Sequence, residues 1–470
     1  MSKMVKKQAA TRRTRGRSAT ALGLGLRRRS ARSRASKGFL AGAAVLTLAT
    51  YGSAAASTVA PRATKHAAVV NLTWETMWSG NTLTLLNQMT TAFNASHPGI
   101  HVTEEAIPSS TGDAKLLSQI AAGDPPDVFT EWNPVLGEYA ADGTIQSMNP
   151  YLKGQYAGIE KWEYPIALQG GVYKGKLYAI PMSMNSWALY YNKSIMKASG
   201  ISSPPKTLAQ LLADSKKEWK VSGNKLEQIG FYPNGGFENF SSFFDAVNCF
   251  NKAGKYDFAG CPGAQVEAKF FASYANEPYA LFNSLSTAYG AVAGGDDDPF
   301  VAGKQGFTMD GPWEGAQNIP VTNPAMEHNF GVEAFPGIRP GPSTFGQGNY
   351  NIIPKGAKNP SAAFTFIAWL AGFGNEKFAS SMLPKGGWMP ASPQIATQPA
   401  YKKWIAANPW LKIYVQQMSS PYSSTPALTP TESAFETAET TATDDILEKT
   451  MTPQQALNYI DTQANAGASG

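Results

Sequence analysis

The chain has 470 residues, with 40 Lys and Arg against 34 Asp and Glu and a formal charge of +6. Thirteen of the basic residues and no acidic one lie within residues 1–56, so the remainder holds 27 basic against 34 acidic residues and a formal charge of −7. A nucleic-acid role argued from net positive charge loses its basis, and the length exceeds what one ordinary core needs.

The basic stretch leads into a short apolar run, Gly38–Thr50, and then small residues with an A-x-A pattern at Ala54–Ala56. The run is too short to span a bilayer, and the three parts read as an export signal over 1–56 followed by a flexible leader over 57–68. Arg27–Arg29 hints at a twin-arginine signal, but the residues that should follow it are absent. With no cysteine near the cleavage site, anchoring through a lipobox cysteine is not expected. Cys249 and Cys261 are the two cysteines, and an oxidising compartment predicts a disulfide between them.

Val69–Trp74 reads as a strand, and Leu83, Leu86, Met89 and Phe93 mark one face of a following helix that His97-Pro98-Gly99 stops. A second strand starts at Ile100, a second helix carries Leu116, Leu117 and Ile120, and a third strand covers Asp127–Phe129. This alternation predicts a mostly parallel α/β sheet, whose ligands sit beyond the carboxyl ends of the strands. Trp78 and Ser79, and Glu131 and Trp132, fall at those ends. The stretch Tyr178–Lys193 reads as a strand, a break at Pro181, and a second strand over Trp187–Tyr191. As a crossing between two lobes, it sets Asn185 and Trp187 at a cleft.

Beyond Thr207, an expected helix N-cap, Gly230–Phe244 is rich in aromatics, Asn and Gly. It reads either as a pocket wall with Asn234, Phe237 and Glu238, or as a turn and a core helix. Asp296–Asp298 lacks the alternating ligands of a calcium loop and reads as solvated. Phe307–Asp310 is a returning strand ended by Gly311-Pro312-Trp313, and Asn349–Pro354, with Tyr350, is a third crossing. A helix from Pro360 is apolar nearly all round and so buried, Gly386–Pro390 presents Trp388 on a loop, and Thr452 caps a last helix. The tail, 466–470, is expected to be disordered. Tryptophans thus recur at crossings and strand ends. A flat ring buries the apolar C–H face of a sugar, while amides and carboxylates satisfy its hydroxyl rim.

Four segments carry a resemblance: GDPPDVF at 123–129, Tyr178–Lys193, GKQGFTMDGPWEGAQN at 303–318, and NIIPKGAKNPSAAFTFIAWLAG at 351–372. In that order they resemble the extracellular sugar-binding proteins of ABC importers, the family that includes maltose-binding protein. The resemblance implies a type II periplasmic-binding-protein fold, with two α/β lobes joined by crossing segments around a ligand cleft. Lobe 1 is expected over 69–184 and 311–350, and lobe 2 over 185–310 and 351–465. It implies a sugar or oligosaccharide ligand, a monomer, transmembrane permease subunits as partner, and no cofactor or metal. Trp313 matches the family's stacking Trp, and Asn185 falls on a hydroxyl-binding acidic position. Asp310, Tyr350 and Trp388 complete the expected site. Trp78 and Ser79 fall where the maltose binder has charged residues, and Glu131 where it has an aromatic one, which argues against maltose itself.

No G-x-S-x-G, complete P-loop, H-E-x-x-H or C-x-x-C occurs, and His66, His97, His101 and His328 show no ligand spacing. A secreted glycoside hydrolase is the enzyme alternative, with Glu75, Glu131, Asp310 and Glu314 as possible paired carboxylates. A binder of ferric iron or a polyamine is the other. Ferric carriers of this fold use paired tyrosines, but Tyr190 and Tyr191, adjacent on a strand, point to opposite faces.

Overall fold

The computed structural model describes residues 68–108, 111–132, 135–223, 225–233, 236–275 and 299–466. The export signal, Asn234, Asp296–Asp298 and residues 467–470 lie outside the described residues. No helix among those described is long and apolar enough to cross a membrane.

Strand β1 (Val70–Thr76) pairs in parallel with β2 (Ile100–Ala106) and β3 (Val128–Trp132). Helices α1 (Gly80–Ser96) and α2 (Gly112–Ala122) make the crossovers. Leu86, Met89 and Phe93 of α1 are buried as their spacing predicts, and the His97 N–H closes the helix on the Phe93 carbonyl at 2.9 Å. The sheet continues through β8 (Gln347–Ile352) to β4 (Ala179–Asn185), in the order β2-β1-β3-β8-β4. Trp74 Nε1 donates to Thr130 at 2.7 Å and Thr130 donates to Asn351 at 2.8 Å, tying β1, β3 and β8 through one buried polar chain.

The second sheet has β5 (Ala188–Asn192) at its centre, antiparallel to β6 (Phe307–Asp310) and β7 (Phe330–Glu333). Helix α3 (Leu208–Glu218) is capped as expected, with the Thr207 hydroxyl accepting the Gln210 N–H at 3.1 Å. Helices α4 (Pro262–Tyr274), α6 (Glu432–Leu447) and α7 (Pro453–Ala466) share this lobe's core, whereas α5 (Pro360–Leu370) packs on the first sheet beside Trp74 and Phe93. Cys249 and Cys261 are joined, their Cα atoms 5.5 Å apart, just before α4.

Three expectations need correction. Strand β4 runs through Pro181 instead of breaking there: it is an edge strand, and its register slips at Tyr350, so the missing N–H is absorbed. The crossing comes later, at Ser186 and Trp187. Second, residues 311–350 do not all return to the first lobe, because β7 pairs with β5, and residues 351–370 stay with the first sheet through β8 and α5. Third, Phe237 belongs to the core and does not line the cleft. Phe237 is fully buried, its ring 5.0 Å from Phe271 and 6.4 Å from Phe258.

Candidate ligand-binding cleft

A cavity of about 280 Å3 opens where the crossings meet, close to the lower end of the roughly 300–1,000 Å3 of small-molecule sites. Five tryptophans line it: Trp78, Trp132, Trp187, Trp313 and Trp388. Asn185, Gln317, Asn318, Gln347, Asn349 and Thr82 supply the polar wall, with Gly386 beside them. No acidic or basic side chain is among these lining residues.

Each tryptophan is held by its element. Trp78 joins β1 to α1, and its ring centroid lies 6.3 Å from that of Trp388. The Trp388 loop is pinned to β4 by reciprocal backbone bonds between Met184 and Met389, at 2.8 and 3.0 Å. Trp187 sits in the crossing, where its N–H donates to Thr344 at 2.6 Å and its carbonyl accepts from Gln417 at 2.8 Å. Trp313 meets Trp187 edge-on at 5.1 Å. Two glycines make room for these rings: a Cβ on Gly311 would lie 2.1 Å from the Trp313 ring, and one on Gly386 2.6 Å from the Trp388 ring.

The polar wall is arranged in opposed pairs. Asn185 of β4 faces Gln347 of β8, and Trp132 of β3 faces Asn349 of β8. Asn349 Nδ2 donates to Ser183 at 2.7 Å, and Asn318 Nδ2 to Glu314 at 3.0 Å, which fixes both amides. Asn185 Oδ1 and Trp187 Nε1 are buried without a protein partner. A buried acceptor and a buried donor left open in one cleft are suited to a ligand that brings both.

Six of the residues expected from the sequence line the cavity: Trp78, Trp132, Asn185, Trp187, Trp313 and Trp388. Of the others that are described, Ser79, Glu131, Phe237, Asp310 and Tyr350 do not, and strand parity explains two of them. Glu131 and Tyr350 are register partners one residue from Trp132 and Asn349, so they project from the opposite face. Glu131 is buried there, and Tyr350 donates its hydroxyl to the Ala167 carbonyl at 2.6 Å. Asp310 is fully buried and accepts the Gly311 N–H at 2.6 Å, holding the turn that carries Trp313. Ser79 is exposed at the N-cap of α1 with no side-chain cap bond. Phe237 belongs to the second core. Gln317 and Asn318 were legible inside the GPWEGAQN segment; Thr82 and Gln347 carry no local signal.

A family model for bacterial extracellular solute-binding proteins matches residues 79–377. A binding protein of Brucella abortus is 26% identical over 305 residues, covering 62% of this chain and 70% of its own length. The maltotriose-binding protein of Pyrococcus abyssi is 23% identical over 339 residues, covering 70% and 68%. The solved structure of CpMnBP1 with mannotriose bound superposes with a TM-score of 0.74 at 25% identity, over 84% of this chain and all of that one. The fold and cleft define a two-lobed α/β binding protein of type II. The chain belongs to the bacterial extracellular solute-binding protein family, and a Streptococcus pneumoniae relative, 25% identical over 293 residues, is the solute-binding lipoprotein of a maltooligosaccharide ABC transporter.

Proposed function

We propose that this chain captures an uncharged sugar or short oligosaccharide outside the cytoplasm and delivers it to the transmembrane subunits of an ABC importer. The observation that carries the reading is the cleft wall: five tryptophan rings interleaved with fixed amides, without a charged side chain among them. Rings and amides match the two faces of a sugar, whereas a polyamine or ferric complex calls for carboxylates or phenolates. Relatives named for maltotriose and solved with mannotriose support the class.

Lobe 1 is the five-stranded sheet with α1, α2 and α5, and lobe 2 the three-stranded sheet with α3, α4, α6 and α7. Crossings fall at Ser186–Trp187, between β7 and β8, and ahead of α6. Closure about them would enclose the solute. None of the carboxylates a hydrolase would use lines the cleft; Glu75, for one, receives Lys115 at 2.8 Å and Gln119 at 2.7 Å. Residues 1–56 act as the export signal, which N-terminal sequencing of the secreted protein checks.

The test is a thermal-shift and tryptophan-fluorescence screen with mannotriose, maltotriose, a galactooligosaccharide, spermidine and ferric citrate, followed by chromatography of the recovered ligand. A sugar at about 100 times its Kd adds about 2.7 kcal/mol of stability and comes back intact. Stabilisation by spermidine or ferric citrate alone would refute the reading, and cleaved sugar would replace it with hydrolysis.

A further inference from the structure

Behind the face of β3 turned away from the cleft, carboxyls of β3, α2 and α6 act on one another. Glu131 is 3% exposed there; its Oε1 accepts the Trp132 N–H at 2.7 Å, and its Oε2 has no donor. Its charged neighbours are Asp113 of α2 and Glu436 of α6, and Asp113 already accepts the Tyr139 hydroxyl at 2.8 Å. A buried carboxyl oxygen beside another carboxylate is satisfied by a proton held on Glu131.

This cluster straddles the joint between the lobes. Glu138, in the short helix Leu136–Ala141 after β3, accepts the Ser433 N–H at 3.2 Å and its hydroxyl at 2.7 Å, capping α6 from the other lobe. A Cβ on Gly137 would lie 2.4 Å from the Thr429 nitrogen, so the two chain segments touch. Along α6, Glu432 accepts the Tyr256 and Thr429 hydroxyls at 3.0 Å each, and Glu439 accepts the Glu238 N–H at 3.1 Å. From α4, Glu267 faces Glu439; from α7, Asp461 is engaged by the Phe258 and Ala259 N–H groups at 2.6 and 3.0 Å. The groups acting on these α6 carboxyls are other carboxyls, hydroxyls and backbone amides. They do not converge on a point: no metal-holding group occurs among the described residues.

Burial pushes Glu436 up to about 7 and Glu432 and Glu439 up to about 8, and it holds Glu131 well above the carboxylate range. A recess of about 730 Å3, rimmed by Lys174 and Lys255, shares its Phe250, Tyr256, Pro426 and Ala427 wall with a pocket of about 20 Å3 beside Glu238 and Glu432. That pocket has room for one water.

We propose that this joint is a proton-operated element of lobe movement: with its carboxyls protonated the N-terminal end of α6 stays packed on the short helix Leu136–Ala141 that follows β3, and losing those protons parts the joint and changes how tightly the cleft holds its solute. The inference rests on the solute-capture reading above. The packed joint binds protons that a solvated joint would release in the ordinary carboxylate range. Raising the pH from about 5 to about 8 therefore favours the parted joint, by about tenfold per pH unit for each linked proton.

The test is amide hydrogen exchange on the full chain without ligand across that pH range, corrected for intrinsic rates. Protection of the first turns of α6 should fall at least tenfold more than that of α5, and a Glu131→Gln/Glu436→Gln double variant should lose the excess. Should the double variant not fold, Glu436→Gln alone should lose part of it. Equal pH dependence of α6 and α5 in the wild type, or of wild type and variant, overturns the proposal. With mannotriose as probe, Kd should differ about tenfold between the pH extremes in the wild type and not in the variant; a pH-independent wild-type Kd overturns the link to the cleft. If mannotriose does not bind at any pH, the capture reading is what suffers, and the exchange data still decide the joint.

Discussion

Trp313→Ala removes the ring that stands edge-on to Trp187 at 5.1 Å and is seated over Gly311. A tryptophan fully enclosed buries roughly 150–250 Å2, so one ring face against a sugar withdraws about 60 Å2 from water, and the sugar face about as much. At about 25 cal/mol per Å2 the two faces contribute about 3 kcal/mol, and rearrangement of the unsupported Trp187 ring brings the net loss to about 2 kcal/mol. That is a rise in Kd of about 30-fold. Titration calorimetry with the sugar that emerges from the screen measures it directly, with far-UV circular dichroism to show that the fold persists. An unchanged Kd in a folded variant would mean that the ring is not a stacking platform, and the assignment of the cleft would fall with it.

Asn185→Ala removes the open acceptor, and the lost hydrogen bond should weaken binding by about 1 kcal/mol, or about fivefold, in the same titration. Gly311→Ala places a methyl 2.1 Å from the Trp313 ring, so the ring must swing away. Sugar affinity should fall about as far as in Trp313→Ala, and a shift in tryptophan emission should report the displaced ring. Replacing Cys249 and Cys261 by serine reopens a loop of sequence separation 12, and urea denaturation should show a loss of about 3 kcal/mol. Finally, because burial raises Glu432, Glu436 and Glu439, the folded chain holds protons that the unfolded chain has released between about pH 4.5 and 8. Stability should therefore fall as pH rises through that window, seen as a lower urea midpoint at about pH 8 than at about pH 5.5, and a midpoint that rises with pH would contradict the burial of these groups.

Local sequence determined much of this protein. The helix stop at His97-Pro98-Gly99, the Thr207 cap, the all-apolar α5 and the recurrence of tryptophan at strand ends are statements about neighbours in the chain, and the structure keeps them. What tertiary structure alone decided was which face each residue serves. Glu131 and Trp132 are adjacent, as are Asn349 and Tyr350, but the register of β3 with β8 sends one of each pair to the cleft and the other to the opposite face of the sheet. A period of two makes neighbours opposites, and nothing local says which parity faces the solute. The same holds for Phe237, whose aromatic stretch suits either a pocket wall or a core until Phe258 and Phe271 close around it. The carboxyl joint was equally hidden, because Glu131 and Glu436 lie far apart in sequence and act on one another only in the folded chain. Chemistry along the chain set the class of ligand; pairing between distant strands set which atoms touch it.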